Sequence, residues 1–133
     1  MSDNTKYATI PGFEQLTAQQ VFDMSASHLL KQMEKSSFND RPHSLCAYRG
    51  RNGLKCAAGV FLTDEGAPEC DDYDNCGEGS GWSELVSAGL VPDTNWILIQ
   101  ELQKLHDECD PRYWRDRLID LAAANSLDDS VCR

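Results

Sequence analysis

The side chains best suited to chemistry are a cysteine and a histidine–aspartate pair, Cys56 with His106 and Asp107. A thiolate nucleophile needs a base to take its proton and a third group to orient that base, and these residue types supply those roles. No sequence motif places the three side chains together. We therefore predict no catalytic residues, and we expect His106 to make a helix-capping or interhelical hydrogen bond.

Six cysteines are also potential metal ligands. Structural zinc usually takes cysteine pairs about two to four residues apart. Cys70 and Cys76 lack that spacing, and His106 with Cys109 would supply only two of the four ligands that a structural zinc needs. The acids Asp71, Asp72, Asp74 and Glu78 do not follow the alternating pattern of a calcium loop. The sequence thus predicts free thiols, no metal and no cofactor.

A basic, glycine-containing stretch is the candidate for anion binding. Residues 49–53, RGRNG, combine guanidinium groups with flexible backbone amides, and arginine can bind phosphate through two hydrogen bonds. Neither a Walker lysine–hydroxyl pair nor a G-x-G-x-x-G motif is present, so a standard nucleotide fold is not indicated. The alternative is an exposed turn with solvated arginines. The candidate ligand-binding residues are Arg49, Arg51, Asn52 and Lys55.

Acidic residues dominate the chain, with 22 Asp and Glu against 12 Lys and Arg and a net charge of −10. This charge argues against direct nucleic-acid binding, which needs basic residues on the phosphates, and against an anionic membrane surface. Ten carboxylates lie between Asp64 and Glu101, and they are densest in residues 63–80, which we interpret as a surface loop. The loop is either a docking surface for a basic protein or a solvated segment that keeps the chain soluble. The predicted partner-binding residues are Asp64, Glu65, Asp71, Asp72, Asp74 and Glu78.

Hydrophobic periodicity predicts the helices that would position these residues. Thr17 and Gln20 form a capping-box pattern at the start of a long apolar stripe. Gly89 is placed to end a short helix. In the third helix, Ile97 is expected to face inward together with three leucines. The predicted helices cover 17–36, 81–90, 95–108 and 110–125.

Asn52-Gly53 lies between two apolar runs, 45–50 and 54–62, and such a pair favours a β-hairpin. In that register Arg49 is opposite Cys56. The alternative is a short buried helix over 54–62, because alanine-rich runs are poor strands.

The predicted fold class is α+β and mainly helical, with about four helices packed around a short β-hairpin. Residues 1–16 are expected to be a flexible arm, 17–125 a single domain and 126–133 a frayed tail.

The chain lacks the features of a membrane or secreted protein. No stretch approaches the roughly 20 apolar residues that span a bilayer. The N-terminal residues have no basic segment followed by an apolar one, as a signal peptide would. We therefore expect a cytoplasmic location, where cysteines are usually reduced.

The segment CAYRGRNGLKCAAGVFLTDE (46–65), with WSELV (82–86) and LQKLHD (102–107), resembles a group of small hypothetical proteins of tailed bacteriophages and prophages. Their pattern is C-x-Y-R-G-x-x-G-L-K-C-A-x-G followed by P-D-E, and this chain has Thr63 where proline is usual. The group has no known function, so the resemblance implies a phage setting and a location in the host cytoplasm. By association, we expect a non-enzymatic inhibitor of a host protein, such as a CRISPR-type defence complex. The alternative is a small-ligand or nucleotide-signal binder that uses the Arg/Gly hairpin. The oligomeric state is not predicted.

Overall fold

The computed structural model describes residues 7–34, 36, 48–50, 53–73 and 82–133, with residues 71–73 described by their backbone alone. Five α-helices lie in these ranges, joined by short 3₁₀ turns. The helices are α1 (Ala18–Gln32), α2 (Ala67–Tyr73), α3 (Trp82–Ser87), α4 (Trp96–Glu108) and α5 (Trp114–Ala124). The 3₁₀ turns are Phe13–Gln15, Gly59–Phe61, Pro111–Tyr113 and Ser130–Cys132.

Helices α1, α4 and α5 pack against one another and supply much of the buried apolar surface. An aromatic cluster extends this core beneath α3. The Phe13 ring meets Phe61 edge-on at 5.6 Å between centroids, and it lies 6.0 Å from the Trp82 ring. The Tyr48 ring also belongs to this cluster, with its centroid 6.3 Å from that of Trp82. All four side chains are fully or almost fully buried.

The capping signals for the helices are confirmed. The Thr17 side chain accepts from the Gln20 N–H, and the Gln20 side chain accepts from the Thr17 N–H. Gly89 follows α3 with a φ of 79°, a left-handed conformation that glycine adopts without strain. The first helix is shorter than predicted: it ends at Gln32, where Met33 takes a φ of 53°. The predicted extension to residue 36 is therefore wrong.

The predicted α+β class is wrong, because the described residues contain no strand and hence no β-hairpin. Arg49 and Lys55 form only an isolated antiparallel bridge, one residue away from the predicted pairing with Cys56. Gly50 N–H donates to Leu54 O at 2.8 Å, and Gly53 has a φ of 77°. Residues 54–58 are neither strand nor helix, and the 3₁₀ turn Gly59–Phe61 follows them. A tight turn is present at Gly53, but its flanks do not form a ladder.

Glutamine side chains explain how this irregular backbone is satisfied without a sheet. The Gln32 amide pairs with both backbone groups of Lys55: Lys55 N–H donates to Oε1 at 3.0 Å and Nε2 donates to Lys55 O at 2.8 Å. Gln19 makes the same two-point contact with Asp128, at 2.8 and 2.9 Å. Two further glutamines accept single backbone N–H bonds: Gln103 from Ala58 at 3.0 Å and Gln100 from Ser83 at 2.7 Å. We call these four contacts the glutamine–backbone pairs.

The acidic block interpreted as a surface loop contains a helix, α2. The Thr63 side chain accepts from Gly66 N–H at 2.9 Å just before it. Pro68 then lies in its first turn, where its missing N–H would have no helical partner in any case. The buried residues Ala67 and Cys70 attach the helix to the core. The loop interpretation is therefore wrong for residues 67–73, and residues 74–80 lie outside the described part.

Residues near both ends of the chain are held against the rest of the described structure. Ile10 N–H donates to Phe61 O at 2.9 Å, and Ala8 N–H donates to Leu90 O at 2.8 Å. At the other end, Cys132 is fully buried and the turn Ser130–Cys132 lies against α1. The division into an arm, a domain and a tail remains a prediction. Within the described ranges, no helix has the length and hydropathy needed to cross a membrane.

Candidate functional site

Arg49, a candidate ligand-binding residue, is built into the scaffold. Its Nη1 donates to Gly59 O at 2.6 Å and to Tyr48 O at 3.4 Å, and its Nη2 donates to Leu62 O at 2.8 Å. Nε and Nη2 both donate to Asp64 Oδ1, at 3.1 and 3.0 Å. A guanidinium has five N–H groups, and these five contacts use all of them. Arg49 thus satisfies carbonyls around the 3₁₀ turn Gly59–Phe61.

The remaining candidates of the ligand site are not gathered around Arg49 in the described part of the structure. Lys55 is fixed through its backbone, whose carbonyl accepts from His28 Nε2 at 2.9 Å in addition to the Gln32 amide. Because that carbonyl can only accept, the neutral His28 ring carries its hydrogen on Nε2. Desolvation by burial lowers the pKa of His28 below its usual 6.5. Arg51 and Asn52 lie outside the described residues.

His106 is the centre of a buried polar network. Ser36 N–H donates to its Nε2 at 3.0 Å, so the ring hydrogen is on Nδ1 and donates to Asp107 Oδ1 at 2.8 Å. Gln103 Nε2 donates to the same carboxylate oxygen at 2.8 Å. The imidazole stacks on the Trp114 ring at 5.5 Å and is fully buried. His106 thus links α4 to Ser36, which lies beyond the end of α1, and not to another helix.

A histidine–aspartate pair with this tautomer also occurs in catalytic triads, where Nε2 takes a proton from the nucleophile. Here Nε2 is directed at a backbone N–H and no solvent reaches the ring. Cys56 Sγ is itself fully buried and accepts from Gly59 N–H at 3.3 Å. The three residues considered for nucleophilic catalysis are therefore occupied in supporting the fold.

The thiols do not form a metal site in the described residues. No group of three or more His, Cys, Asp or Glu side chains is placed to hold an ion there, and Cys109 and Cys132 are free thiols. Burial, with Asp129 nearby, raises the pKa of the Cys132 thiol. Raising the pKa reduces the thiolate fraction, and the thiolate is the reactive form. Cys46 and Cys76 lie outside the described residues.

Acidic charge is the property that is most unevenly distributed. Residues 56–103 contain ten of the 22 acidic residues and none of the 12 basic ones, so the rest of the chain balances at twelve of each. The whole net charge of −10 therefore comes from this one segment. We call it the acidic segment. Its exposed carboxylates in the described part are Asp64, Glu65, Glu69, Glu84, Asp93 and Glu101.

Ala8 forms backbone hydrogen bonds with two loops of the acidic segment. Thr63 N–H donates to Ala8 O at 2.9 Å, while Ala8 N–H donates to Leu90 O at 2.8 Å. Because both bonds involve one residue, the backbone at Thr63, next to Asp64, and the backbone at Leu90 lie within about 10 Å of each other.

The predicted partner-binding residues are not equivalent. Asp64 is ion-paired with Arg49 at 3.0 Å, although its side chain is 85% exposed. Glu65 is exposed in the turn before α2. Asp71 and Asp72 lie in α2, and Asp74 and Glu78 lie outside the described residues. The exposed acids beyond α2, among them Glu84 and Glu101, were not included in the predicted surface.

Sequence reasoning also misplaced one apolar residue. Ile97 was expected to face inward, but it is 59% exposed, the largest exposure among the described large hydrophobic side chains. Leu98, Leu102 and Leu105 are buried as expected. The signal was available in the spacing, since the positions four and seven residues after Ile97 are Glu101 and Lys104, which belong to a polar stripe.

Comparison with known proteins gives no family for this chain. No family model, no curated protein and no solved structure matches it.

Proposed function

We propose that this chain is a non-enzymatic protein that binds and inhibits a partner by placing the acidic segment on a basic surface of that partner. The observation that carries the proposal is the concentration of the entire net charge in residues 56–103. Complementary potentials speed the encounter of two proteins and fix their orientation. Such a surface needs no reactive group, in keeping with a buried His106 and a buried Cys56.

The choice of a host defence protein as the partner rests on the resemblance to phage proteins and on the chemistry of such partners. Nucleases and nucleic-acid-guided complexes carry basic grooves that track phosphates. An acidic surface that occupies such a groove competes with the nucleic acid directly. Inhibition would then follow from binding alone.

The alternative function, binding of a nucleotide or another small anion at Arg49, Arg51, Asn52 and Lys55, has less support. All five N–H groups of Arg49 are used within the chain, and one of its partners is the carboxylate of Asp64. An incoming anion would have to displace that carboxylate or compete with the three backbone carbonyls of Tyr48, Gly59 and Leu62. Lys55→Ala tests this function with little effect on folding, because the contacts that fix Lys55 are made by its backbone.

The proposed function is tested by capture of partners from a bacterial host lysate. A variant with Glu65→Gln, Glu69→Gln and Glu84→Gln removes three exposed carboxylates of the acidic segment. A matched control removes three exposed carboxylates outside it, through Glu108→Gln, Asp116→Asn and Asp120→Asn.

We expect the wild type and the control to retain the same partner and the acidic-segment variant to lose it, and we expect added salt to weaken capture. Equal recovery by both variants would show that the acidic segment is not the docking surface.

A further inference from the structure

The start of α4 presents an apolar side chain within the acidic segment. Ile97 is 59% exposed in the first turn of this helix. Asp93 lies four residues before it, ahead of the helix, and Glu101 follows it by one helical turn; both are exposed. Exposed Glu84 adjoins Ser83, whose N–H donates to Gln100 Oε1 at 2.7 Å, so α3 places a third carboxylate beside the same part of α4.

The backbone that leads into this turn is held in a less common conformation. Asn95 has a φ of 55°, and its side chain does not cap α4 but donates to Leu16 O at 3.0 Å. Thr94 Oγ1, just before it, is buried and has no hydrogen-bond partner. Left-handed conformations of residues other than glycine are uncommon and concentrate at functional sites. The contact with Leu16 holds the chain at Asn95, two residues before Ile97.

We infer that Ile97 is the apolar anchor of the partner contact, and that the partner inserts an amphipathic helix with an aliphatic stripe bordered by Lys and Arg. This inference rests on the proposed function and adds its position and the chemistry of its occupant. The occupant follows from charge complementarity, because Asp93, Glu101 and Glu84 lie around an apolar centre, and the one Lys or Arg residue of α4, Lys104, lies two helical turns beyond Ile97.

Ile97 and the surrounding carboxylates are expected to affect different rate constants of binding. Exposed ion pairs mainly set the association rate and its salt dependence, and each contributes little affinity. Affinity is concentrated in a few central, desolvated contacts surrounded by a polar rim. An apolar residue within a rim of acids therefore governs the lifetime of the complex, whereas the acids govern how fast it forms.

The probe for the test is a synthetic amphipathic helix of leucine and lysine, and its binding is measured by calorimetry and stopped-flow fluorescence. Ile97→Ser removes the anchor without removing charge. Tyr113→Ser is the matched control, because Tyr113 is 50% exposed but lies beside Arg112, whose guanidinium carbon is 5.1 Å from the ring centroid. Far-ultraviolet circular dichroism checks that both variants are folded.

We expect Ile97→Ser to weaken binding of the probe at least about tenfold, mainly through faster dissociation, and to leave the salt dependence unchanged. Tyr113→Ser should change binding less than about twofold. In the wild type, the δ1 methyl signal of Ile97 should shift on titration with the probe.

Three results would overturn the inference. They are wild-type affinity in Ile97→Ser, a comparable loss in Tyr113→Ser, and equal binding of a lysine-only peptide of the same charge. Absence of binding to the wild type would overturn it as well. The proposed function is decided separately by the lysate capture with the charge variants, so it survives if the carboxylates prove necessary and Ile97 does not.

Discussion

Two glycines allow backbone segments to approach where any side chain would collide. A Cβ at Gly59 would lie 2.2 Å from Tyr48 O, and a Cβ at Gly66 would lie 2.6 Å from both Cβ and O of Ala8. Contacts below 3.0 Å with backbone atoms cannot be relieved by a side-chain rotation. These positions fix the entry to α2 and the turn beneath Tyr48.

We expect Gly66→Ala to lower the free energy of unfolding by about 1–3 kcal/mol or more, because residue 8 must move. Gly53→Ala is the comparison, since a Cβ there meets nothing within 4 Å and only the φ of 77° is unfavourable. That strain costs about 1–2 kcal/mol. Urea denaturation of both variants measures the difference, and a larger loss in Gly53→Ala would contradict the packing at Ala8.

His28 makes folding stability depend on pH. Its pKa is lowered in the fold, chiefly by desolvation, so the unfolded chain takes up a proton first as the pH falls below about 6.5. The contribution of the neutral ring is therefore present above that pH and declines as the pH falls through it. We expect the wild type to lose more stability than His28→Gln between about pH 7.5 and 5.5. Urea denaturation at the two pH values measures both losses, and parallel losses would show that His28 does not titrate differently in the fold.

At the scale of elements, local signals predicted the helices. The capping box at Thr17 and Gln20 and the left-handed Gly89 after α3 involve residues within a few positions of the helix ends that they mark. Such signals are encoded by neighbouring residues and need no knowledge of the fold.

The hairpin prediction failed because the partners of residues 54–58 are distant in sequence. Gly53 has the left-handed conformation of a turn, but Gln32 from α1 and Gln103 from α4 satisfy the backbone that a second strand would have paired. The structural role of Arg49 could not be predicted for the same reason, because its guanidinium donates to the carbonyls of Gly59 and Leu62, which lie 10 and 13 residues later in the sequence. The excess of acidic charge was evident from composition, whereas the exposure of Ile97 depends on how α4 packs.

Gln32→Met tests the two-point contact with Lys55. Methionine has a similar volume but cannot hydrogen-bond with the amide group, so Lys55 N–H loses its glutamine partner. An unsatisfied buried or half-buried group costs about 1–3 kcal/mol. Gln15→Met, at an exposed position in the 3₁₀ turn Phe13–Gln15, is the control and should be nearly neutral. Thermal unfolding compares the two, and an unchanged midpoint for Gln32→Met would contradict the role assigned to this contact.

For the whole molecule, the separation of charge has an energetic consequence that is independent of any partner. Ten carboxylates without a basic neighbour in sequence repel one another, and this repulsion favours the expanded chain. We expect the melting temperature to rise when sodium chloride increases from about 0.02 to 0.3 M, because the Debye length falls below about 6–8 Å. Differential scanning calorimetry measures the rise.

The two sets of charge variants designed for partner capture also separate the source of that repulsion. The variant with Glu65→Gln, Glu69→Gln and Glu84→Gln should show a smaller rise than the wild type. The control variant at Glu108, Asp116 and Asp120 lies in the charge-balanced remainder and should keep the full rise. The same rise in both variants would mean that the acids of the acidic segment are too far apart to interact.

The glutamine–backbone pairs have one more consequence, which concerns motion. An amide proton exchanges with solvent only when its hydrogen bond opens, and loops normally exchange quickly. Four N–H groups donate to a glutamine side chain of α1 or α4. Those of Lys55, Ala58 and Asp128 lie outside regular helix and sheet, and that of Ser83 lies in the first turn of α3. Hydrogen exchange followed by NMR should therefore find these four protons protected nearly as strongly as those of α1 and α4. Such protection would mean that the irregular segments around these residues unfold together with α1 and α4 as one cooperative unit.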